Sequence, residues 1–296
     1  MRRRTLLALV LLFALAAPAQ TLPKQPAQDP ARAAAIGRGA PMALPTNAAC
    51  ASLGAPQKPY AFATGEVLEY ELDAMGATAG TLKLRVLPKR AGVVPIEVTA
   101  QTNTFFSKVR RVKATATSYL STSDLRPTRY VEDAVENEVP KFAEVTFQQD
   151  RHLADLDYKY AGRPGKRQFK LAKDGFDPAG AIYLLRQLPL REGAPICFDA
   201  YGIRTMWRVS GKVVGKEHVS LKLGEFDAWH LQGNAVRIDD PRWHREIHLW
   251  VSADDRRLPL AALGMMDLGV VRATLVSFSR PEGAASSKKG ANSLKW

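Results

Sequence analysis

Alternation with a period of two constrains this chain more than any other feature of it. In residues 243–250, Trp243, Arg245, Ile247 and Leu249 leave one face of an extended backbone, while His244, Glu246, His248 and Trp250 leave the other. That period belongs to a strand, where successive side chains project to opposite sides of the pleat. Residues 252–257, Ser-Ala-Asp-Asp-Arg-Arg, break the pattern with side chains that bond nearby backbone and so favour a turn. Residues 257–260 and 270–278 resume as strands, the second rich in β-branched and aromatic residues.

The same grammar recurs upstream. Residues 66–73 set Leu68, Tyr70 and Leu72 on one face, residues 75–80 make a glycine-containing connection, and residues 81–87 return with Leu82, Leu84 and Val86. Further strands are expected at 93–102, 109–120, from 126 onward, 141–148, 152–160, 196–201, 205–214, 217–223 and 228–238, with a hairpin turn at 224–227. One helix interrupts them. Asp177 suits an N-cap, Pro178 the first helical position, residues 179–188 carry Ile182 and Leu185 inward, and Pro189 stops the helix. The expected fold class is all-β and mainly antiparallel, a curved open sheet or barrel-like meander of roughly thirteen strands with one short helix. A hydrophobic content of 46% in 296 residues is enough to fill such a core.

The ends read differently. Residues 1–19 pair Arg2, Arg3 and Arg4 with an apolar run over 6–17 and small residues at Ala17 and Ala19, a cleavable signal peptide with cleavage expected before Gln20. The run falls short of the ~20 residues that span a bilayer, and no later stretch could cross as a helix. Residues 20–59, dense in Pro and Ala, read as a flexible leader. Residues 60–280 form the single β-rich domain, and residues 281–296 a polar, disordered tail. The formal charge is +13, and +10 without the three leading arginines. These cations are dispersed, whereas a nucleic-acid surface needs a concentrated stripe with stacking aromatics, so nucleic acid is not an expected partner.

Two cysteines remain after export, Cys50 and Cys197, and in an oxidising periplasm an even count points to a disulfide between them. Neither has a CxxC spacing or a nearby histidine, so neither reads as catalytic. His244, Glu246 and His248 share one strand face about 7 Å apart, and His152, His218 or His230 could join them around a metal. The spacing is not the helical HExxH arrangement, and the blander reading is a polar outer face opposite Ile247 and Leu249. Asp254 and Asp255 are neighbours in a turn, and adjacent turn residues seldom face each other across a cleft as a glycosidase's paired carboxylates do. Residues 162–167, Gly-Arg-Pro-Gly-Lys-Arg, lack the Ser or Thr and the helix of a phosphate loop and read as a charged hairpin tip. There is no nucleophile elbow and no dinucleotide fingerprint, so no catalytic, cofactor or metal residue is assigned. Trp207, Trp229, Trp243 and Trp250 would fill the interior of a closed sheet or line a pocket in an open one.

Several short motifs, in order, resemble a bacterial exported family catalogued as domain of unknown function 3108. They are Gly65-Glu66 with Leu68 and Tyr70, then Gly76, Ala79 and Gly80 in the first hairpin. The segment 177–186 is similar to the family's short helix ending in Leu-Arg. Residues 223–231 resemble its Gly-x-Phe-Asp hairpin, and the Arg-Leu-Pro of 257–259 with 269–278 resembles its closing strands. The resemblance spans about residues 60–280. It implies a β-rich envelope protein and carries over no activity or catalytic residue. The closing pattern also resembles, in fold, the curved half-barrels of periplasmic lipoprotein carriers.

Three functional classes follow. The leading one is a soluble periplasmic protein that binds or carries an envelope lipid or other hydrophobic ligand on a concave apolar face, with basic residues meeting the headgroup. The second is a hydrolase of envelope polymers using the His244, Glu246 and His248 face. The third is a structural module with a filled interior. The first requires a greasy cavity, the second histidines converging in a cleft, and the third a closed core.

Overall fold

The computed structural model describes residues 43–45, 50–74, 76–202, 204–266 and 269–281. The expected signal peptide, most of the expected leader and the expected tail beyond 281 lie outside the described residues.

Among the described residues, fifteen strands and one α-helix follow in chain order: β1 (Val67–Ala74), β2 (Ala77–Val86), β3 (Val93–Thr102), β4 (Val112–Ser121), β5 (Pro127–Glu136), β6 (Val139–Gln148), β7 (Leu153–Tyr160), β8 (Arg163–Lys170), β9 (Gly175–Phe176), α1 (Pro178–Leu185), β10 (Pro195–Tyr201), β11 (Met206–Leu221), β12 (Gly224–Arg237), β13 (His244–Ser252), β14 (Pro259–Met266) and β15 (Gly269–Ser279). All belong to one sheet, in the order β8 through β1, then β15 back to β9. Two meanders of consecutive hairpins, β1–β8 and β10–β15, are thus joined where the first strand pairs with the last, with Leu68 opposite Phe278 and Leu72 opposite Ala273. Every ladder is antiparallel except the two-residue β9 beside β10.

The sheet stays open but curls until its distant parts touch through side chains. The rings of Tyr130 on β5 and Tyr201 on β10 lie 5.6 Å apart. Arg167 on β8 donates to the Arg204 carbonyl at 2.8 Å and pairs with Asp239 at 3.0 Å. Bulges supply some of the curvature, at Leu72/Asp73, Tyr119/Leu120, Val213/Gly215 and Trp250/Val251.

The alternation that defines the strands also places the core. In β1 every second residue is buried, from Leu68 to Ala74. Helix α1 lies on the enclosed face. The Asp177 carboxylate accepts from the Gly180 N–H at 3.0 Å and from the Ser118 hydroxyl at 2.6 Å, so the cap that starts the helix also fastens it to β4. The helix ends at Leu185, earlier than expected, and Gln187 and Leu188 continue as tighter turns through their bonds to Leu184 and Leu185.

Several boundaries move: the strands expected at 205–214 and 217–223 run on as the single β11, and the one expected from 109 begins at Val112. Gly80 sits inside β2, opposite Leu72 and Thr102, so the first turn is shorter than its glycines implied. Gly224 pairs with Leu221, which moves the 224–227 segment out of the turn and into β12. The charged segment 163–167 is not a hairpin tip but the edge strand β8, whose exposed basic side chains suit a sheet edge.

The described end of the leader is held against the domain. Cys50 is bonded to Cys197, with 5.1 Å between the Cα atoms. The Leu53 N–H donates to Asp174 at 2.7 Å, and Arg126 bonds both the Leu53 carbonyl and Asp174. Arg208, paired with Asp199, donates to the Pro45 carbonyl at 2.9 Å.

A second fastening closes the junction between the meanders. Glu66 and Arg186, both fully buried, pair at 2.7 Å, and Arg280 bonds the other oxygen of Glu66 at 2.8 Å. Arg186 also donates to the carbonyls of Arg256 and Arg257, and the Tyr70 hydroxyl donates to the Pro259 carbonyl at 2.8 Å.

Candidate functional site

Between α1 and strands β10–β14 the apolar packing leaves a pocket of about 230 Å³. The strands present Phe198, Val209, Leu231, Ile247 and Leu249 to it, and the helix presents Ala181, Ile182 and Leu185. Its floor is a row of four residues in mutual register across adjacent strands: Gly211 opposite Gly233, Gly233 opposite Ile247, and Ile247 opposite Gly264. Three of the four have no side chain, which is why the helix does not close on the sheet there. Glycine inside a strand costs stability and marks a place where something approaches the backbone closely.

The three glycines are not equivalent. A Cβ on Gly211 would lie 2.1 Å from the Gln232 carbonyl oxygen, and one on Gly233 would lie 2.7 Å from the Ser210 oxygen, so close strand approach requires both. A Cβ on Gly264 would meet nothing nearer than Ile247 Cγ2 at 3.9 Å. At Gly264 the missing side chain is space. An apolar cavity of about 150 Å³ accepts benzene, so this pocket can take a small ring or a folded stretch of alkyl chain.

Few polar groups border the pocket. Trp207 donates its indole N–H to the Gly202 carbonyl at 3.0 Å, and the Arg245 guanidinium lies 5.1 Å from the Trp207 ring while donating to the Met265 carbonyl at 3.1 Å. The other described tryptophans lie elsewhere. Trp229 and Trp243 are half-buried beneath Lys216 and Arg237, and Trp250 is on the far face of the sheet.

That far face carries the histidines. Since Ile247 and Leu249 turn to the pocket, alternation turns Glu246, His248 and Trp250 away from it. Expected there was a polar face in solvent, but it is covered: His230 and His248 are 8% and 6% exposed. His230 Nδ1 lies 2.6 Å from Glu217, and its Nε2 lies 2.8 Å from His248 Nδ1. The Trp250 indole donates to the second oxygen of Glu217 at 3.0 Å and its ring stacks on His230 at 4.6 Å. His248 Nε2 stands 3.3 Å from Glu246 without an aligned hydrogen bond.

With His230 Nδ1–H donating to Glu217 and His248 Nδ1–H donating to His230 Nε2, each of the two close contacts has one donor and one acceptor. Burial, reinforced by the neighbouring His230, holds His248 below the usual histidine range. The remaining histidines are elsewhere. His152 contacts the Lys173 carbonyl, His218 is exposed between Glu225 and Asp227, and His244 is half-buried opposite Val236. Among the described residues no three metal-ligating side chains converge.

Two buried carboxyls lie on the enclosed side, Glu132 on β5 and Asp177 between α1 and β4. Glu132 is 4% exposed, and its bonded partner is the Tyr130 hydroxyl at 3.0 Å. Burial pushes it up to about 7 against the lowering effect of that bond. Asp177, the helix cap, is pushed to about 6 by burial, against the lowering effect of Ser118 and the helix N–H groups. Sequence reading missed both the glycine floor and Glu132. The floor had a signal, a glycine in the interior of each of three strands, but their register was needed to align them. Asp254 and Asp255 are confirmed in a turn, where Asp254 accepts from Ser252 and Arg256.

The profile of a family described as Protein of unknown function (DUF3108) matches residues 69–276. No curated protein matches the chain. Among solved structures, a beta-barrel-like protein of domain of unknown function DUF1849 from Brucella abortus is similar over 73% of this chain and 98% of its own, at 10% identity and a TM-score of 0.49. A candidate lipoprotein from Parabacteroides distasonis is similar over 77% of this chain and 100% of its own, at 9% identity and a TM-score of 0.33. A candidate exported protein with YmcC-like fold from Bacteroides fragilis is similar over the same shares, at 8% identity and a TM-score of 0.32. Scores this low carry no argument about function.

Proposed function

The chain belongs to the DUF3108 family, a membership that brings no activity with it, and we propose from the site itself that the protein binds a hydrophobic ligand, an acyl chain or compact apolar group of the cell envelope. The observation that carries this reading is the pocket of about 230 Å³ beneath α1, floored by glycines and lined almost wholly by apolar side chains. A sheet selected only for stability would fill the space over Gly264 with a side chain, because strand propensity and burial both favour one there. Instead the fold keeps an apolar void, the environment that a hydrocarbon segment prefers to water.

The compartment we propose is the periplasm. The disulfide Cys50–Cys197 belongs to an oxidising environment, the leading residues carry an export pattern, and no helix among the described residues is long and apolar enough to cross a membrane. A polymer hydrolase draws no support from the histidine face, since His230 and His248 are buried beneath Trp250 on the side away from the pocket.

The test is native mass spectrometry with organic extraction of protein purified from a periplasm, followed by titration of the stripped protein with a fluorescent fatty acid. Trp207, on the pocket wall, reports occupancy through its own emission. A co-purified apolar mass, or saturable binding that quenches Trp207, is the expected result. An empty protein that binds neither the fatty acid nor extracted envelope lipids returns the fold to a structural role.

A further inference from the structure

A different surface lies at the end of the barrel where the β3–β4 connection runs. In an antiparallel meander alternate connections fall on one end, so the β1–β2, β3–β4, β5–β6 and β7–β8 turns share a rim. The connection at residues 103–111 is built rather than slack. Asn103 donates to the Thr78 carbonyl at 2.6 Å and accepts from the Phe106 N–H at 2.8 Å, and the hydroxyls of Thr102 and Ser107 bond at 2.8 Å. Phe106 is thereby turned into the core, 2% exposed.

With Phe106 locked inward, its neighbours must point out. Phe105 is 61% and Val109 64% exposed. The other large apolar side chains exposed among the described residues are Val135 and Phe142. Both lie at this same end, Val135 next to last in β5 and Phe142 fourth in β6. Scattered exposed apolar residues mean little, but all of them gathered on one rim form a patch. The patch is set among cations. Lys108, Arg111 and Lys113 are exposed, and Arg110 and Lys141 converge on Glu136. Against these five stand Glu136, the exposed Glu138, which lies 3.6 Å from Arg111, and the exposed Asp133 opposite Phe142. Apolar tips ringed by an excess of positive charge match the interface of an anionic bilayer, where rings enter the headgroup layer and cations meet phosphates. A protein partner would more often bury such tips in a groove with paired charges.

We propose that this rim docks the protein on the surface of an anionic phospholipid membrane, with Phe105 and Val109 entering the headgroup layer. The inference does not depend on what fills the pocket. Trp207 and Arg245 stand near the start of β11 and β13, at the end of the sheet that faces the same way, so a docked protein would present that end of the pocket to the bilayer.

The test is flotation of the full chain with vesicles of phosphatidylglycerol and phosphatidylethanolamine, compared with phosphatidylcholine vesicles, at low and high salt. The expected result is flotation with the anionic vesicles that weakens with salt. The double variant Phe105→Ser/Val109→Ser should lose about tenfold or more in partitioning with an unchanged melting temperature, because both side chains are exposed. Lys108→Glu/Arg111→Glu should lose a similar factor. Flotation by the wild type that neither double variant reduces would overturn the proposal, as would no flotation at all. Tight binding to an acidic protein surface without vesicle binding would replace it with a protein partner. Gly264→Val, which fills the pocket, should float like the wild type, so failure of the ligand reading and failure of this one are separable.

Discussion

Filling the floor of the pocket separates a binding site from a packing defect. Gly264→Val adds three carbon groups where the nearest atom to a new Cβ is Ile247 Cγ2 at 3.9 Å. Their burial contributes about 2.4 kcal/mol at about 0.8 kcal/mol per methylene-sized group. Replacing a strand glycine recovers about 0.5–1 kcal/mol more, and imperfect fit against α1 takes back about 1 kcal/mol. The net expectation for the ligand-free protein is about 2 kcal/mol of stabilisation, a rise in Tm of about 4–8 °C for a domain of this size. The ligand pays for the same atoms in reverse: displacing about three methylenes of an alkyl chain from a 230 Å³ pocket weakens binding about 50-fold. The assay is calorimetric unfolding of the stripped variant beside titration with a fluorescent fatty acid. Gly211→Ala is the control, because its Cβ would lie 2.1 Å from the Gln232 carbonyl oxygen and the strand must shift, so it should destabilise. A Gly264→Val protein that melts lower than wild type would refute the reasoning about space. One that is more stable but binds the probe unchanged would refute the assignment of the site.

Three other perturbations test the rest of the structure. Glu66→Ala leaves the fully buried Arg186 guanidinium without its carboxylate, which should cost about 3–5 kcal/mol; denaturant unfolding showing less than about 1 kcal/mol would mean the pair is dispensable. Glu132 sits at about 7 in the folded chain against about 4.3 unfolded. The folded state therefore holds the extra proton, and the stability this group contributes is complete below about pH 4, falls as pH rises, and is lost above about 7. Glu132→Gln should accordingly be more stable than wild type by about 3–4 kcal/mol at pH 8 and nearly equal to it at pH 4, and a gain that does not vary with pH would contradict this origin. Cys50→Ser opens a bond across a sequence separation of 147 residues, an entropic stabilisation of up to about 5 kcal/mol; the expected loss is smaller, since Leu53 and Pro45 keep their bonds to Asp174 and Arg208, and reductant should reproduce it in the wild type but not in the variant.

What was legible in the sequence is what has a local cause. Period-two alternation announced the strands, because burial of one face is decided residue by residue along β1 or β4. The Asp177-Pro178 start announced the helix, because capping is settled within a single turn. Even the motifs that carry the family resemblance find their reason in contacts distant along the chain. Glu66 of the opening motif pairs with Arg186 at the end of the helix motif, Tyr70 bonds the carbonyl of Pro259 in the closing Arg-Leu-Pro, and Arg186 bonds the carbonyls beside it. Those residues fasten the two meanders together, so the motifs have a structural reason in this chain. The pocket was illegible for the opposite reason. It is made by residues that are missing side chains, and Gly211, Gly233 and Gly264 fall into one row only after three ladders fix their registers. A shift of one residue in β14 would turn Gly264 to the histidine face and bring Leu263 or Met265 over Ile247, closing the space. The candidate function therefore rests on register, the level of structure that alternation implies but does not specify.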